Sequence, residues 1–353
     1  MTLSFMSGYR KNASKMKGVV DEDIPPRYGF SSGNYAINRI TSGNFREAGY
    51  LEQGRIGMLS GPSGAGKSYL VANAMREAQA AGAFVLALDS ENALDKEFVT
   101  KIGVNVDPDV YQYYGVKLIN QVTDLISTFV AGYIAEYESN PVEAPRVLIV
   151  IDSLDMLMTN SEYENFLKGV TKGDQGAKNK GIKAMLKTFV HAIKEYNITI
   201  LCTAQCYKNQ DPLNGEGSYI VSDAFRFAMS TILFLKKLKL KEGTEITGIR
   251  MMTEGFKTRF TQPFQKVAVE VPYSTGMDVC NGLAGLMLAA GILVKRGSRL
   301  QIVDDDRTWY ERDIGQYAER LIGLAEERVS GMSIVVSSDD IEYDEDDVVY
   351  EQE

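Results

Sequence analysis

The sequence predicts an α/β protein: a mostly parallel sheet flanked by helices, with a short helical element before it and a small α/β subdomain after it. Three observations predict it. Short apolar runs alternate with segments of helical period, a glycine-rich turn separates the first run from the first such helix, and a later run ends on a carboxylate.

In chain order, the first 20 residues carry Arg10, Lys11, Lys15 and Lys17 and no acid, and read as a basic helix. Asp21-Glu22-Asp23 and Pro25-Pro26 then break it into a linker. From Arg55 onward the apolar runs are 56–60, 84–88, 147–151, 198–203 and 231–235. Between them, 68–81, 121–137 and 181–196 have helical period; in the last, Ile182, Met185, Leu186, Phe189, Val190 and Ile193 recur every three or four residues. Segments 238–241, 249–253 and 266–271 have strand character and predict antiparallel strands extending the sheet. Residues 272–330 read as a mixed appendage with helices at 282–290 and 314–327. The expected organisation is a docking helix and linker over 1–50, a core over 51–272, a subdomain over 273–330 and a disordered acidic tail over 331–353.

The 353 residues are 44% apolar and 24% charged, the composition of an ordinary globular protein. The formal charge of −9 is unevenly placed: every residue of the excess falls after residue 338, where there is no Lys or Arg. An acidic total therefore does not exclude a nucleic-acid partner. Cys202, Cys206 and Cys280 lack zinc-ribbon or CxxC spacing, which points to a reducing cytoplasmic compartment. The single His191, inside a helical pattern, argues against a His-based triad or His-rich metal site. No apolar leader opens the chain, and the stretch 281–294 is too short to span a bilayer, so a soluble protein is expected.

Gly61-Pro62-Ser63-Gly64-Ala65-Gly66-Lys67-Ser68 matches G-x-x-x-x-G-K-[ST] between an apolar strand and a helix. Glycines let successive N–H groups curl around a phosphate, and the helix directs its positive end at the same anion. Lys67 is expected at the β- and γ-phosphates of ATP, and Ser68 on Mg²⁺. Asp152, at the end of the run 147–151, is the second candidate for the Mg²⁺ shell; on its own it reads equally as a helix cap. A base is also needed. Ala87-Leu88-Asp89-Ser90-Glu91 ends the second strand, expected beside the strand that leads into the phosphate loop. Glu91 is the candidate base and Asp89 its rival; either would also serve as a cap.

These strings, with Leu-Asp-Ser-Glu-Asn-Ala-Leu-Asp at 88–95 and Val-Ile-Asp-Ser at 150–153, closely resemble the RecA recombinase core. Gly-Phe-Lys-Thr-Arg-Phe at 255–260, a glycine-rich element near Gly276 and the acidic tail look most like the UvsX-type recombinases of tailed bacteriophages. The resemblance implies Glu91 as the water-activating carboxylate, Asp95 and Phe98 against the adenine, and Gln205 as the γ-phosphate sensor. It places Lys257 and Arg259 where family members send cations into a neighbouring subunit's ATP site, with a solvated strand edge as the plain alternative. It further implies a helical homo-oligomer on single-stranded DNA, with ATP at subunit boundaries, that pairs with homologous duplex DNA.

Two segments are the DNA-binding candidates. Residues 160–180 carry Lys168, Lys172, Lys178 and Lys180, and residues 207–221 begin with Tyr207 and Lys208. Lysines there would neutralise phosphates without reading sequence; mobile loops with ordinary surface lysines are the alternative. Tyr207 and Tyr219 are the stacking candidates. The alternating 236–241 lysines read as a solvated strand face, and Lys295, Arg296 and Arg299 as a secondary duplex-capture patch. The tail and the subdomain are candidate contacts for single-strand-binding and mediator proteins. A hexameric helicase motor and a regulatory ATPase on the same core are the rival readings.

Overall fold

The computed structural model describes residues 6–13, 15, 28–140, 143–170, 176–208 and 219–329. The Pro25-Pro26 linker, Lys172, residues 209–218 and the acidic tail lie outside the described residues. Helix α1 (Met6–Ala13) occupies the basic stretch. Helix α2 (Tyr35–Ser42) starts where the Asn34 side chain accepts from Ile37 N–H and stops at Gly43, in the left-handed conformation that glycine adopts readily.

Strands and helices then alternate: β1 (Ile56–Ser60), α3 (Lys67–Ala80), β2 (Phe84–Asp89), α4 (Lys96–Ile102), β3 (Tyr111–Gly115), α5 (Ile119–Tyr137) and β4 (Val147–Asp152). Helices α6 (Asn160–Leu167) and α7 (Ala177–Ile193) precede β5 (Ile198–Ala204). A two-residue ladder of β6 (Tyr207–Lys208) and β7 (Tyr219–Ile220) and a short α8 (Asp223–Arg226) lead to β8 (Thr231–Glu242), β9 (Glu245–Lys257) and β10 (Lys266–Pro272). Last come α9 (Leu283–Ala289), β11 (Leu293–Arg296), β12 (Arg299–Ile302), β13 (Thr308–Trp309) and α10 (Ala318–Val329).

The large sheet has the order β10-β9-β8-β1-β5-β4-β2-β3. Its strands from β8 to β3 are parallel, and β9 and β10 extend it antiparallel. A three-stranded antiparallel sheet of β11, β12 and β13 stands near the C-terminus. Residue parity divides the core. Leu59, Val85, Ala87, Leu148, Val150 and Leu201 face the cluster that holds α2 and α3 residues. Their neighbours Met58, Leu86, Leu88, Ile149, Ile151 and Ile200 face the cluster that holds α5 and α7. Burial on both faces is why β1, β4 and β5 read as continuous apolar runs. Leu286, Leu293, Trp309 and Leu321 join the α3-side cluster, so the C-terminal elements share its apolar core.

The structure corrects several expectations. The runs 231–235 and 238–241 are one strand, β8, whose pattern changes from fully buried to alternating once it leaves the covered centre. Strand β2 is not beside β1: β5 and β4 lie between them, so the first crossover passes over two strands. Strand β3 had no apolar run to announce it, because Tyr-Gln-Tyr-Tyr-Gly forms a half-exposed edge. The segment 160–180 opens with a helix, α6, whose capping box pairs Thr159 with Glu162. The expected helix at 314–327 is a 3₁₀ turn and then α10, parted at Tyr317, which stacks on Trp309. No helix among the described residues is long and apolar enough to cross a membrane.

Candidate active site

Strand β1 is where the sheet's connections diverge, β5 on one side and β8 on the other, and ligands of open α/β sheets bind at the carboxyl ends of such strands. The loop 61–66 leaves β1 there. Gly64 and Gly66 have φ of +68° and +96°, and α3 begins at Lys67 with no side chain capping its first turn. A Cβ on Gly61 would lie 2.5 Å from the Leu235 carbonyl, and one on Gly66 would lie 2.6 Å from Met251 Sδ. Strands β8 and β9 therefore press the loop into shape, and only glycine fits beneath them. Pro62, Ser63 and Ala65 complete the turn, Ala65 buried and Ser63 exposed.

Lys67 is buried and its Nζ donates to the carbonyls of Gly61 and Pro62 at 2.9 and 3.0 Å. Burial lowers its pKa, while the charges of Glu91 and Asp152 act to raise it. The Ser68 hydroxyl donates to Asp152 Oδ2 at 2.9 Å, and the Thr203 hydroxyl donates to Asp152 Oδ1. Asp152 is 1% exposed; burial raises its pKa, the Thr203 and Ser68 donors oppose that, and Glu91 and Asp89 add to it.

The ends of β2 and β4 are tied together. Ser90 N–H donates to the Asp152 carbonyl at 2.7 Å, Ser90 Oγ donates to the Ser153 carbonyl at 2.7 Å, and Ser153 N–H donates to Ser90 Oγ at 2.9 Å. Ser153 Oγ then donates to Glu91 Oε1. Asp89 is spent otherwise: it accepts the N–H groups of Glu91 and Leu94, both at 2.9 Å, and the Tyr113 hydroxyl at 3.3 Å. Asp89 shapes the turn, and the exposed Glu91 is the carboxylate left facing the loop.

This arrangement suits a nucleotide triphosphate with a divalent cation. Uncapped N–H groups and Lys67 offer positive charge, while a Ser hydroxyl bonded to a desolvated Asp, with a second carboxylate beside it, is an oxygen donor set of the kind Mg²⁺ prefers.

Other expected site residues are more scattered. Asp95 caps α4, accepting from Phe98 N–H at 3.0 Å, and the Phe98 ring packs half-buried on the α3-side core. Gln205 follows β5 on the same sheet edge as the phosphate loop. Lys168 and Lys180 are exposed, Lys178 is half-buried, and Tyr207 is exposed; the Lys208 side chain is outside the described residues. Lys257 and Arg259 are not brought to the phosphate loop. Met251 of β9 touches Gly66, but the strand then runs away from the loop until Lys257 is level with Ile232, about 20 Å further along. There Lys257 Nζ donates to the Arg226 carbonyl at 2.6 Å, so it is more than a solvated edge.

A profile of the RecA N-terminal domain family matches residues 28–278. The chain belongs to that family. The matched span takes in all eight strands of the large sheet and stops before α9. Among similar proteins, Protein RecA of Chloroherpeton thalassium is 25% identical over 307 residues, covering 83% of this chain and 80% of that protein. Protein RecA of Sulfurimonas denitrificans is 25% identical over 324 residues, 88% and 80% of the two chains. Protein RecA of Tropheryma whipplei is 27% identical over 265 residues, 73% of this chain and 56% of that one.

Within this family frame the sequence left three contributors unseen: Thr203, Ser153 and Lys237. Ser153 follows Asp152 directly and Thr203 sits in an apolar run, so neither had a motif of its own. Lys237 lay in the run read as solvated, yet its Nζ would be 2.8 Å from a Cβ on Gly64. Period-two alternation gives the face of a strand but not what its neighbours cover.

Proposed function

We propose that this RecA-family chain is an ATP-dependent recombinase, nearest to the UvsX-like phage proteins, that forms a helical filament on single-stranded DNA and exchanges it for a homologous strand. One observation carries the reading: the phosphate loop, Glu91, Asp152, Gln205 and the starts of both basic segments share one edge of the sheet. Bound ATP·Mg²⁺ supplies the phosphoanhydride to be cleaved and the divalent charge that balances it. Lys67 and the loop N–H groups bind phosphate oxygens. Ser68 and Asp152 hold the cation, and Thr203 keeps Asp152 oriented. Glu91 Oε takes a proton from the attacking water, with Ser153 fixing the carboxylate's other oxygen. Asp95 and Phe98 are assigned to the adenine and Gln205 to sensing the γ-phosphate.

Lys257 and Arg259 serve the ATP site of a neighbouring copy. Their distance along β9 from their own loop supports this, since cations supplied only on assembly make hydrolysis depend on the filament. Lys168, Lys172, Lys178, Lys180, Tyr207 and Lys208 are assigned to DNA backbone, and the stacked Tyr163 and Phe166 of α6 add an aromatic pair. The 1–50 segment is proposed to dock on the next core, and the 331–353 tail to compete with DNA or recruit single-strand-binding and mediator proteins in the bacterial cytoplasm. ATP turnover with and without single-stranded DNA, with negative-stain imaging of the same samples, tests the reading. DNA-stimulated turnover on long filaments is expected; closed hexameric rings would point to a helicase instead.

A further inference from the structure

Asp155 lies three residues beyond Asp152 and belongs to none of the motifs above. Its Oδ2 accepts Gln205 N–H at 2.6 Å, its Oδ1 accepts the Tyr207 hydroxyl at 3.2 Å, and its main-chain carbonyl accepts Lys178 Nζ. These three partners come from different places. Gln205 ends β5 beside the phosphate site, Tyr207 opens the β6–β7 ladder at the base of the second basic segment, and Lys178 is in the first turn of α7, which closes the first.

We propose that Asp155 is a positioning residue that couples the nucleotide site to both DNA-binding segments, because one residue holds the main chain of Gln205, the hydroxyl of Tyr207 and the ammonium of Lys178. The proposal rests on the recombinase reading. Each carboxylate oxygen has its own partner, so a displacement of Gln205 cannot leave Tyr207 in place without breaking a bond. Burial raises the pKa of the carboxyl, and the Gln205 N–H, the Tyr207 hydroxyl, Lys178 and Lys67 offset that rise in part. Coupling of two sites needs such a physical element that both can bias.

The test measures ATP turnover of the full chain against ATP concentration, with and without single-stranded DNA, for Asp155→Ala, Asp155→Asn, Tyr207→Phe and the Asp155→Ala/Tyr207→Phe pair. Asp155→Ala is expected to cut the DNA stimulation ratio about tenfold, as a loss of kcat with DNA and not as a rise in KM for ATP. Asp155→Asn, which keeps an oxygen for Gln205 N–H and an amide for the Tyr207 oxygen, should restore most of the ratio. Tyr207→Phe should lower the ratio alone but add nothing in the Asp155→Ala background. Where Asp155→Ala fails to fold, the same cycle run on Asp155→Leu, which matches the side chain in size but accepts no hydrogen bond, decides. Wild-type stimulation in Asp155→Ala, or additive losses in the pair, overturns the proposal while leaving the recombinase reading intact. A wild-type chain with no DNA stimulation defeats that reading and this proposal with it.

Discussion

At the carboxyl ends of β1, β2, β4 and β5 the chain supplies partners for its own charged groups. Lys67 is bound by two carbonyls, Asp152 by two hydroxyls, and Glu91 by Ser153. At the far end of β9 Lys257 donates to the Arg226 carbonyl, and Arg226 pairs with Asp223 at 3.2 Å. Burial and then the cations Arg259 and Arg226 nevertheless lower the Lys257 pKa, with no carboxylate acting against them. Three cations beside one carboxylate leave an excess of positive charge that an anion from outside the chain would offset. The contrast teaches that the first region brings its own carboxylates and hydroxyls, whereas the second carries more cations than carboxylates, as its proposed role beside another copy's nucleotide requires.

Mutations sharpen that contrast in order of expected effect. Lys67→Ala removes the cation at the centre of the self-contained region and is expected to abolish nucleotide binding in a fluorescent-ATP titration. Replacing both Lys257 and Arg259 by Ala should lower DNA-stimulated turnover by about 10³-fold, the lower range for cations supplied in trans, while ATP still binds. Glu91→Gln should bind ATP and turn it over roughly 10²–10⁴-fold more slowly, the usual contribution of a general base; full activity would move the role elsewhere. Thr203→Val is the mildest. It leaves Asp152 Oδ1 buried without its donor, and urea unfolding without nucleotide should show a loss of about 1–3 kcal/mol.

Much of this was legible because the chemistry is local in sequence. The phosphate loop needs its glycines and lysine within one turn, and β1, β4 and β5 announce themselves through burial on both faces. Strand order was not legible: nothing in 84–91 says that β4 and β5 will intervene before β1, so Glu91 reaches the site from the Asp152 side, through Ser90 and Ser153. The supporting hydroxyl of Thr203 was hidden for the same reason, since it meets Asp152 only after two strands pair. Between Glu91 and Asp89 the sequence offered a choice, and hydrogen bonds separate the two by giving Asp89 two N–H groups to hold.

The most direct test of a site shared between copies mixes two inactive chains. Lys67→Ala subunits lack their own nucleotide but keep Lys257 and Arg259, whereas Lys257→Ala/Arg259→Ala subunits have the opposite defect. In a head-to-tail filament mixed in equal amounts, about a quarter of the interfaces pair an intact loop with an intact neighbour. Single-stranded-DNA-dependent turnover should therefore reappear on mixing, to roughly a quarter of the wild-type rate. Mixtures no more active than the two variants measured separately would contradict a site completed by the neighbouring copy.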